Sequence, residues 1–323
     1  MTHTALIVGL GAIGMGYDFD HAEDRVYSHA RALATHPAFG AAAAVDPDES
    51  RRAAYTQRYG GATYATLAEA LANVKPEIAI IATPTGLHAP QVEQVLREAA
   101  PRAILCEKPL APDLAQAQAI VSGCEARGVR LYVNYMRRAE PGAVAVRDMI
   151  ADGRIATPLK GLVWYSKGVC HNGSHFIDLM RHWLGDVRDA RVIRPGRLWD
   201  GADPEPDFLL EHERGPVTYL AAREECFSHY TAELIAPNGR VYYARGGEAI
   251  YWQPLVADPE FPGYTVLDAQ PRALAGDMPR YQWHVLEQLR RALAGEPNTL
   301  CTGRDALATL ADVFRVTDQL RGT

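Results

Sequence analysis

The sequence lacks the features of several protein classes. Its five cysteines (Cys106, Cys124, Cys170, Cys226 and Cys301) are widely spaced and form no C-x-x-C pair. This spacing argues against a disulfide framework or a structural zinc site and favours reduced thiols in the cytoplasm. No apolar run is long enough to cross a bilayer, and the first residues enter a strand-like segment at once. We therefore expect neither a membrane anchor nor a secretion signal.

Positive charge is also scarce. The chain has 33 Lys and Arg residues against 39 Asp and Glu residues, which gives a net charge of −6. A protein that binds duplexes needs a dense cationic face, so we expect no nucleic-acid partner. The composition, with 48% hydrophobic and 22% charged residues, is that of an ordinary globular protein. At roughly 150 residues per domain, the 323 residues suggest about two domains.

The first part of the chain alternates short apolar runs with segments of helical spacing. This alternation predicts βαβ units around a parallel sheet that is buried on both faces. Strands are predicted at 5–8, 41–45, 78–82, 103–106 and 130–133, and helices at 26–35, 49–59, 67–73, 88–99 and 113–127.

The pattern changes after residue 133. A helix at 141–151 is followed by strand candidates without crossover helices, which predicts a mostly antiparallel sheet with a hairpin turn at Pro237-Asn238-Gly239. An open sheet needs its free face covered, so we expect a homodimer or homotetramer through this sheet. Strand candidates lie at 159–169, 190–193, 208–212, 217–223, 231–235 and 240–244, closing helices near 280–294 and 304–321, and predicted loops at 199–206 and 252–278.

These patterns together predict an α/β protein of two domains. The first, residues 1–132, is expected to be an N-terminal Rossmann domain with a doubly wound parallel sheet. The second, residues 133–323, is expected to be a C-terminal α+β domain with an open, mostly antiparallel sheet through which the protein oligomerises.

A glycine-rich turn, Gly9-Leu10-Gly11-Ala12-Ile13-Gly14, directly follows the first predicted strand. Gly9 allows the tight turn, Gly11 lets the backbone approach a pyrophosphate, and Gly14 permits close packing of the next helix on the sheet. The free N–H groups at the helix start, around Ala12 and Ile13, then face the phosphate charge. We therefore predict that this turn binds a dinucleotide.

Asp46 ends the second predicted strand, where a carboxylate accepts hydrogen bonds from the adenosine ribose and repels a 2′-phosphate. This favours NAD, although Arg51 and Arg52 leave NADP possible. The spacing from the glycines is longer than usual, and we interpret the acidic segment 17–24 as an insertion near the start of the first helix. The alternative for Asp46 is a helix N-cap before Pro47.

Four motifs in this order resemble the glucose–fructose oxidoreductase / inositol dehydrogenase / rhizopine catabolism (Gfo/Idh/MocA) family. They are the glycine turn, the segment 82–88, the E-K-P motif Glu107-Lys108-Pro109, and the segment 172–178. The resemblance covers nearly the whole chain and implies a nicotinamide cofactor with a sugar-like substrate. It places Thr83, Pro84 and His88 along the cofactor, Glu107 near the nicotinamide ribose, Lys108 at the reacting oxygen after a cis Lys108–Pro109 bond, Asn134 beside the nicotinamide, and Tyr135 and Arg138 close by.

By the same resemblance, His175 is the general acid/base, a role that suits an imidazole because it titrates near neutrality. Many family members carry an aspartate four residues earlier, where this chain has His171. Two alternatives stay open: His171 is a second proton-transfer group, or Asn172 binds a substrate hydroxyl. A metal site of His171, His175 and Asp178 is disfavoured, because Ser174 is predicted as the helix N-cap and leaves His171 outside the helix.

Trp164 and Lys167 lie on the strand that leads into this segment. Alternation sends Trp164 and Ser166 to one face and Tyr165 and Lys167 to the other, and one of these sets is expected to line the sugar pocket. Ordinary cross-strand packing is the alternative.

The resulting hypothesis is an NAD(P)-dependent oxidoreductase that acts on a secondary alcohol or ketone of a sugar, cyclitol or sugar derivative. Lys108 polarises the oxygen and His175 moves the proton. One alternative is a redox-neutral epimerase or glycoside-cleaving enzyme with tightly bound NAD. Another is a non-catalytic sugar or nucleotide sensor, against which the presence of both Lys108 and His175 argues.

Overall fold

The first half of the chain folds into the predicted alternation of strands and helices. The computed structural model describes residues 2–22 and 24–321, apart from the side chains of Ala41 and Ala42. Apolar runs form the strands and amphipathic segments the helices, as their periodicities require. The elements are β1 (His3–Val8), α1 (His29–Thr35), β2 (Phe39–Val45), α2 (Glu49–Tyr59), β3 (Ala62–Tyr64), α3 (Leu67–Asn73), β4 (Ile78–Ile81), α4 (His88–Glu98), β5 (Ala103–Cys106), α5 (Leu114–Ala126) and β6 (Arg130–Val133).

These strands form a parallel sheet in the order β6-β5-β4-β1-β2-β3. This is the doubly wound order, in which the chain reverses its direction of growth between β1 and β4. All residues of β4 and β5 are buried, as expected for central strands covered on both faces. The predicted doubly wound parallel sheet is confirmed.

The first helix is interrupted by a loop. In an uninterrupted helix, the carbonyl oxygens of Ile13 and Gly14 would accept from residues 17 and 18. Here they accept instead from the N–H groups of His29 (3.0 Å) and Ala30 (2.9 Å), so the helix resumes after residues 17–28 have looped out. The predicted insertion at 17–24 lies inside this segment; Glu23 is outside the described residues.

Asp18 and Arg31 hold the looped-out segment in place. The buried Asp18 carboxylate accepts from the backbone N–H of Tyr27 (2.6 Å) and of Ser28 (2.9 Å). The Arg31 guanidinium donates to the carbonyls of His21, Ala22 and Arg25 and lies 3.8 Å from Asp18. These hydrogen bonds hold the loop in place, and the helix resumes at His29.

The second half contains a larger sheet with helices packed on one face. Most of its strands pair antiparallel, as predicted, but β7 and β12 pair in parallel. The Pro237-Asn238-Gly239 turn joins β13 to β14 as a hairpin. The elements are α6 (Pro141–Ala151), β7 (Lys160–Tyr165), α7 (Ser174–Leu184), β8 (Val187–Arg194), β9 (Leu198–Trp199), β10 (Asp203–Pro204), β11 (Asp207–His212), β12 (Gly215–Ala221), β13 (Thr231–Ala236), β14 (Gly239–Ala244), β15 (Ala249–Ala257), β16 (Thr265–Leu267) and β17 (Arg272–Leu274).

The sheet order is β16-β15-β14-β13-β7-β12-β11-β8, with β17 also paired to β15. The prediction of loops at 199–206 and 252–278 was wrong. The first segment contains part of the short β9–β10 hairpin, and the second contains the end of β15 together with β16 and β17. These strands are short or at the sheet edge, where proline and exposed polar residues are tolerated, so their sequences resemble loops.

The chain finally forms α8 (Tyr281–Leu293), β18 (Cys301–Thr302) and α9 (Gly303–Leu320). Two compact units result: residues 1–139 with 279–310, and residues 140–278 with 311–323. The predicted division gave each domain one continuous segment, whereas here α8 joins the first unit. The reason is packing, because Leu286 and Leu289 of α8 are fully buried in the core of that unit with residues of β1 and α1.

The chain shows no membrane-crossing element among the residues described: each helix is too short or too polar to span a bilayer.

Candidate active site

The glycine turn lies between β1 and the first helical turn, at the carboxyl edge of the sheet. Gly9 has φ +101°, and a Cβ there would lie 2.7 Å from the carbonyl oxygen of Ala82. A Cβ on Gly14 would lie 2.1 Å from the carbonyl oxygen of Gly9. A Cβ on Gly11, by contrast, would meet no atom of the described residues within 4 Å. Two glycines are therefore required by the fold itself, while the third borders open space beside the exposed Ala12 and half-buried Ile13.

Asp46 follows β2 and supports the turn. Its Oδ2 accepts from the N–H of Leu10 (2.8 Å) and its Oδ1 from the N–H of Asp48 (2.9 Å). The helix N-cap at this point is Asp48, whose side chain accepts from Ser50 and Arg51, so the N-cap alternative for Asp46 was wrong. Arg51 Nη1 lies 3.6 Å from Asp46 Oδ2, which brings the cation to the same carboxylate.

The segment after β4 contains Thr83, Pro84 and His88. The His88 ring is fully buried, with Nε2 2.9 Å from the carbonyl of Thr83 and Nδ1 3.1 Å from that of Leu110. It links the loops that follow β4 and β5. Thr83 is half-buried, its hydroxyl hydrogen-bonded to Gln91, and Pro84 is exposed.

Glu107 and Lys108 follow β5, and Asn134 follows the neighbouring β6. The Lys108–Pro109 peptide is cis. Glu107 is buried, and burial opposes ionisation of its carboxyl group. Hydrogen bonds from His29 and Asn134, together with the nearby charge of Lys108, outweigh burial and lower the pKa of Glu107. An ionised carboxylate thus lies at the carboxyl ends of two adjacent strands.

Tyr135 and Arg138 lie just beyond β6, and both are buried. Arg138 Nη1 is 3.3 Å from Asp305, so this guanidinium forms an ion pair within the first unit.

In the second unit, His175 lies in the first turn of α7 with 8% of its surface exposed. A π-helical turn, Gly168–Gly173, leads directly into α7. Ser174 is not the N-cap that was predicted, because its hydroxyl donates back to the carbonyl of Cys170 (2.8 Å) and the helix is continuous. The predicted loop before Ser174 is therefore this turn, and His171 is inside it.

Asp203 of β10 holds this π-helical turn. Its carboxylate accepts from the N–H groups of Cys170 (3.0 Å) and His171 (2.7 Å), and burial raises the pKa of Asp203. The exposed His171 ring lies 5.4 Å from that of Trp199, measured between centroids. Asn172 donates to the carbonyl of Ser166 (3.1 Å). The residues described contain no cluster of three or more His, Cys, Asp or Glu side chains suited to a metal ion.

Trp164 and Lys167 each contact a neighbour in the second unit. Tyr165 packs into the core with residues of α7, so alternation directs Trp164 to the opposite face of the sheet, where it lies edge-on to His229. Lys167 lies beyond β7 at φ +65°, and its ammonium group is 3.1 Å from Glu224. Trp164 therefore lies on the sheet face opposite α7, and Lys167 lies outside β7.

A family model described as "Oxidoreductase family, NAD-binding Rossmann fold" (GFO_IDH_MocA) matches residues 4–135. An inositol 2-dehydrogenase of Leifsonia xyli is 31% identical over 268 residues, which cover 72% of this chain and 74% of that protein. A D-apiose dehydrogenase of Paraburkholderia graminis is 29% identical over 301 residues, which cover 82% and 77%. The chain belongs to the Gfo/Idh/MocA oxidoreductase family.

Solved structures of other oxidoreductases share the fold. An Agrobacterium radiobacter oxidoreductase in complex with NAD+, L-tartaric acid and magnesium superposes with a TM-score of 0.75 at 20% identity and covers 99% of this chain and 97% of its own. The WlbA dehydrogenase of Bordetella pertussis, in complex with NADH and UDP-GlcNAcA, gives 0.78 at 18% identity, with 99% and 96% covered. The predicted α/β architecture is thereby confirmed.

As a member of this Gfo/Idh/MocA family, the protein is an NAD-binding oxidoreductase. The residues of its first unit fit the dinucleotide on two observations. The open space at Gly11 lies where a pyrophosphate is bound in such turns. Asn134 Oδ1 is buried and has no hydrogen-bond partner among the described residues, so it is available to a donor group of the cofactor.

Sequence reasoning missed two members of this site, His29 and Gln282. Asp46 follows Gly14 by 32 residues, and leaving out the twelve residues of segment 17–28 reduces this to 20, the usual spacing. The same correction would have brought His29 next to the glycine turn. Gln282 gave no local signal, because it reaches the site from α8, near the other end of the chain.

Proposed function

We propose that the protein transfers hydride between the nicotinamide C4 of NAD(P) and a secondary alcohol or ketone carbon of a sugar, cyclitol or sugar derivative. Relatives named inositol 2-dehydrogenase and D-apiose dehydrogenase support a polyhydroxylated substrate. The observation that carries the proposal is the position of Glu107, Lys108 and Asn134 at the carboxyl ends of adjacent parallel strands, where open α/β sheets bind their ligands.

In the oxidative direction, Lys108 donates a hydrogen bond to the substrate hydroxyl oxygen and stabilises the negative charge that develops on it. His175 accepts the hydroxyl proton as the carbonyl forms. NAD, when bound, supplies the acceptor for the hydride that leaves the same carbon. In the reductive direction His175 returns the proton to the oxygen, so the reaction is balanced in both directions.

Among the remaining candidates, His171 is the second proton-transfer group in this proposal, because its ring is exposed. Tyr135 contributes to the substrate side by its position after β6. Asn172, Lys167 and Arg138 already bind neighbouring groups of their own units, so any substrate contact would use the hydrogen-bonding capacity that remains. Trp164 would bind substrate only from the sheet face opposite α7.

The test is a nicotinamide absorbance screen over cyclitols, aldoses, sugar acids and nucleotide sugars, with NAD and with NADP. We expect Lys108→Ala to abolish turnover while NADH affinity, measured by fluorescence titration, stays near that of the wild type. Lys75→Ala, which changes an exposed lysine of the same unit, is the matched control. An equal loss of turnover and of NADH affinity would refute the role of Lys108.

His175→Ala is expected to lower turnover strongly and to remove the limb of the rate profile near neutral pH. An unchanged profile would transfer the role to His171. Turnover without added NAD, together with NAD that co-purifies with the protein, would instead support the redox-neutral alternative. Binding of a sugar without conversion under all of these conditions would support the sensor.

We also propose that the protein works in the cytoplasm as a homodimer or homotetramer. Reduced, buried Cys106 and Cys124 are consistent with that compartment. On the sheet face opposite the core, Ile235 is 49% and Tyr242 38% exposed, and a second copy would cover them. Sedimentation should show dissociation of the Ile235→Glu variant, and a monomeric wild type would refute the assembly.

A further inference from the structure

Four polar side chains of the first unit form a closed ring of hydrogen bonds. Glu107 Oε1 lies 2.9 Å from His29 Nε2 and 2.6 Å from Asn134 Nδ2. Gln282 completes the ring, with its Nε2 2.7 Å from His29 Nδ1 and its Oε1 3.1 Å from Asn134 Nδ2. All four side chains are buried; Glu107 and Asn134 directly follow β5 and β6, and His29 and Gln282 lie in α1 and α8.

The distances in the ring are satisfied by one arrangement of donors and acceptors. Ionised Glu107 only accepts, so His29 must donate from Nε2 and Asn134 must turn its amide nitrogen towards the carboxylate. His29 Nδ1 is then an acceptor, and Gln282 Nε2 donates a hydrogen bond to it. Gln282 Oε1 in turn accepts from Asn134. With Nε2 of His29 as donor, Nδ1 as acceptor and one orientation of each amide, all four contacts are satisfied.

The orientation of Asn134 has a consequence outside the ring. With Nδ2 directed at Glu107 and Gln282, the carbonyl oxygen Oδ1 is directed away from both. Within the part of the chain that the structure describes, this oxygen is buried and has no hydrogen-bond partner. A buried acceptor without a hydrogen bond is costly, so native proteins retain one mainly where a ligand or water completes it.

We propose that His29 and Gln282 are positioning residues, which lock the amide of Asn134 so that its Oδ1 accepts a hydrogen bond from an amide N–H of the nicotinamide half of the dinucleotide. His29 is returned to this position by the looped-out segment that Asp18 and Arg31 hold. The inference rests on the proposed function for the nicotinamide at this edge of the sheet, and it is independent of the substrate and of the roles of Lys108 and His175.

The experiment compares the affinities of NAD and of ADP-ribose, which lacks the nicotinamide, by isothermal titration calorimetry. Gln282→Met removes both ring hydrogen bonds of Gln282 and frees the Asn134 amide to turn. We expect NAD affinity to fall about threefold to tenfold, the value of one oriented hydrogen bond, with ADP-ribose affinity unchanged. Gln288→Met is the matched control, because Gln288 is a buried glutamine of the same helix whose Oε1 accepts from Thr299 N–H (3.0 Å) instead. It should leave both affinities unchanged.

A second pair of variants keeps the proposal testable if Gln282→Met folds poorly. His29→Gln retains an N–H donor for Glu107 and should preserve the preference for NAD over ADP-ribose, whereas His29→Leu should reduce that preference as Gln282→Met does. Equal weakening of both ligands in Gln282→Met and His29→Leu would show a merely structural role and overturn the proposal. Unchanged NAD affinity in folded variants would overturn it too. Both results are read without turnover, so they are distinct from failure of the proposed reaction.

Discussion

We predict that ionised Glu224 stabilises the second unit and that this stabilisation is lost in acid. Its carboxylate accepts hydrogen bonds from Ser166 Oγ (2.7 Å), Tyr230 OH (2.9 Å) and the Ser228 hydroxyl, and Lys167 Nζ lies 3.1 Å away. Burial raises the pKa of Glu224, but these four donors outweigh it and lower the pKa from 4.5 to about 2. The folded state therefore holds the ionised form far more strongly than the unfolded chain does.

The size of this effect follows from linkage between ionisation and folding. A lowering of about 2.5 pKa units corresponds to about 3 kcal/mol of stability. This contribution is fully present above pH 4.5, and it is lost as the pH falls through about 2. Glu224→Gln cannot ionise, so we expect it to be less stable than the wild type by about 3 kcal/mol at neutral pH and by only about 1.5 kcal/mol near pH 3.

Urea unfolding of both proteins across this pH range measures the difference directly. Glu260→Gln, in an exposed turn of the same unit, is the control and should match the wild type at each pH. A loss of stability in Glu224→Gln that stays the same from neutral pH to about pH 3 would refute the reasoning. It would show that the side chain acts through packing and not through its charge.

Three further outcomes are expected. Arg181→Met removes the nearer cation of the buried Asp312 (2.5 Å) and leaves only Arg315 beside it (3.4 Å). The free energy of unfolding should therefore drop by at most about 3–5 kcal/mol and recover when Asp312→Asn is added; no recovery would exclude a charge effect. Burial lowers the pKa of His212 to about 4. The free energy of unfolding of the wild type should therefore fall by up to about 3 kcal/mol as the pH is lowered from 6.5 to 4, and His212→Gln should not show this loss. Gly14→Ala, whose Cβ would meet Gly9 O at 2.1 Å, should weaken NAD binding at least about tenfold, whereas Gly123→Ala in α5 should leave it intact.

Local sequence patterns determined most of the first unit. Continuous apolar runs form the strands of a sheet that is covered on both faces. Glycines at fixed offsets form the turn after β1. Both patterns depend on only a few neighbouring residues, so the sequence reveals them. The motif around Glu107 and Lys108 predicted the cis peptide and the edge of the sheet by resemblance. Asp46 was assigned to the end of its strand despite the unusual spacing, since its position relative to the apolar run is local information.

Tertiary structure decided what depends on residues far apart in the chain. The ring around Glu107 needs Gln282, which is more than a hundred residues away in the chain. It also needs His29, which a looped-out segment separates from the glycine turn in sequence although the two are close in the folded chain. The edge strands β16 and β17 looked like loops because their pairing with β15, and not their composition, makes them strands. Hydrogen bonds and buried contacts between distant segments leave no periodic trace in the sequence, so only the folded chain reveals them.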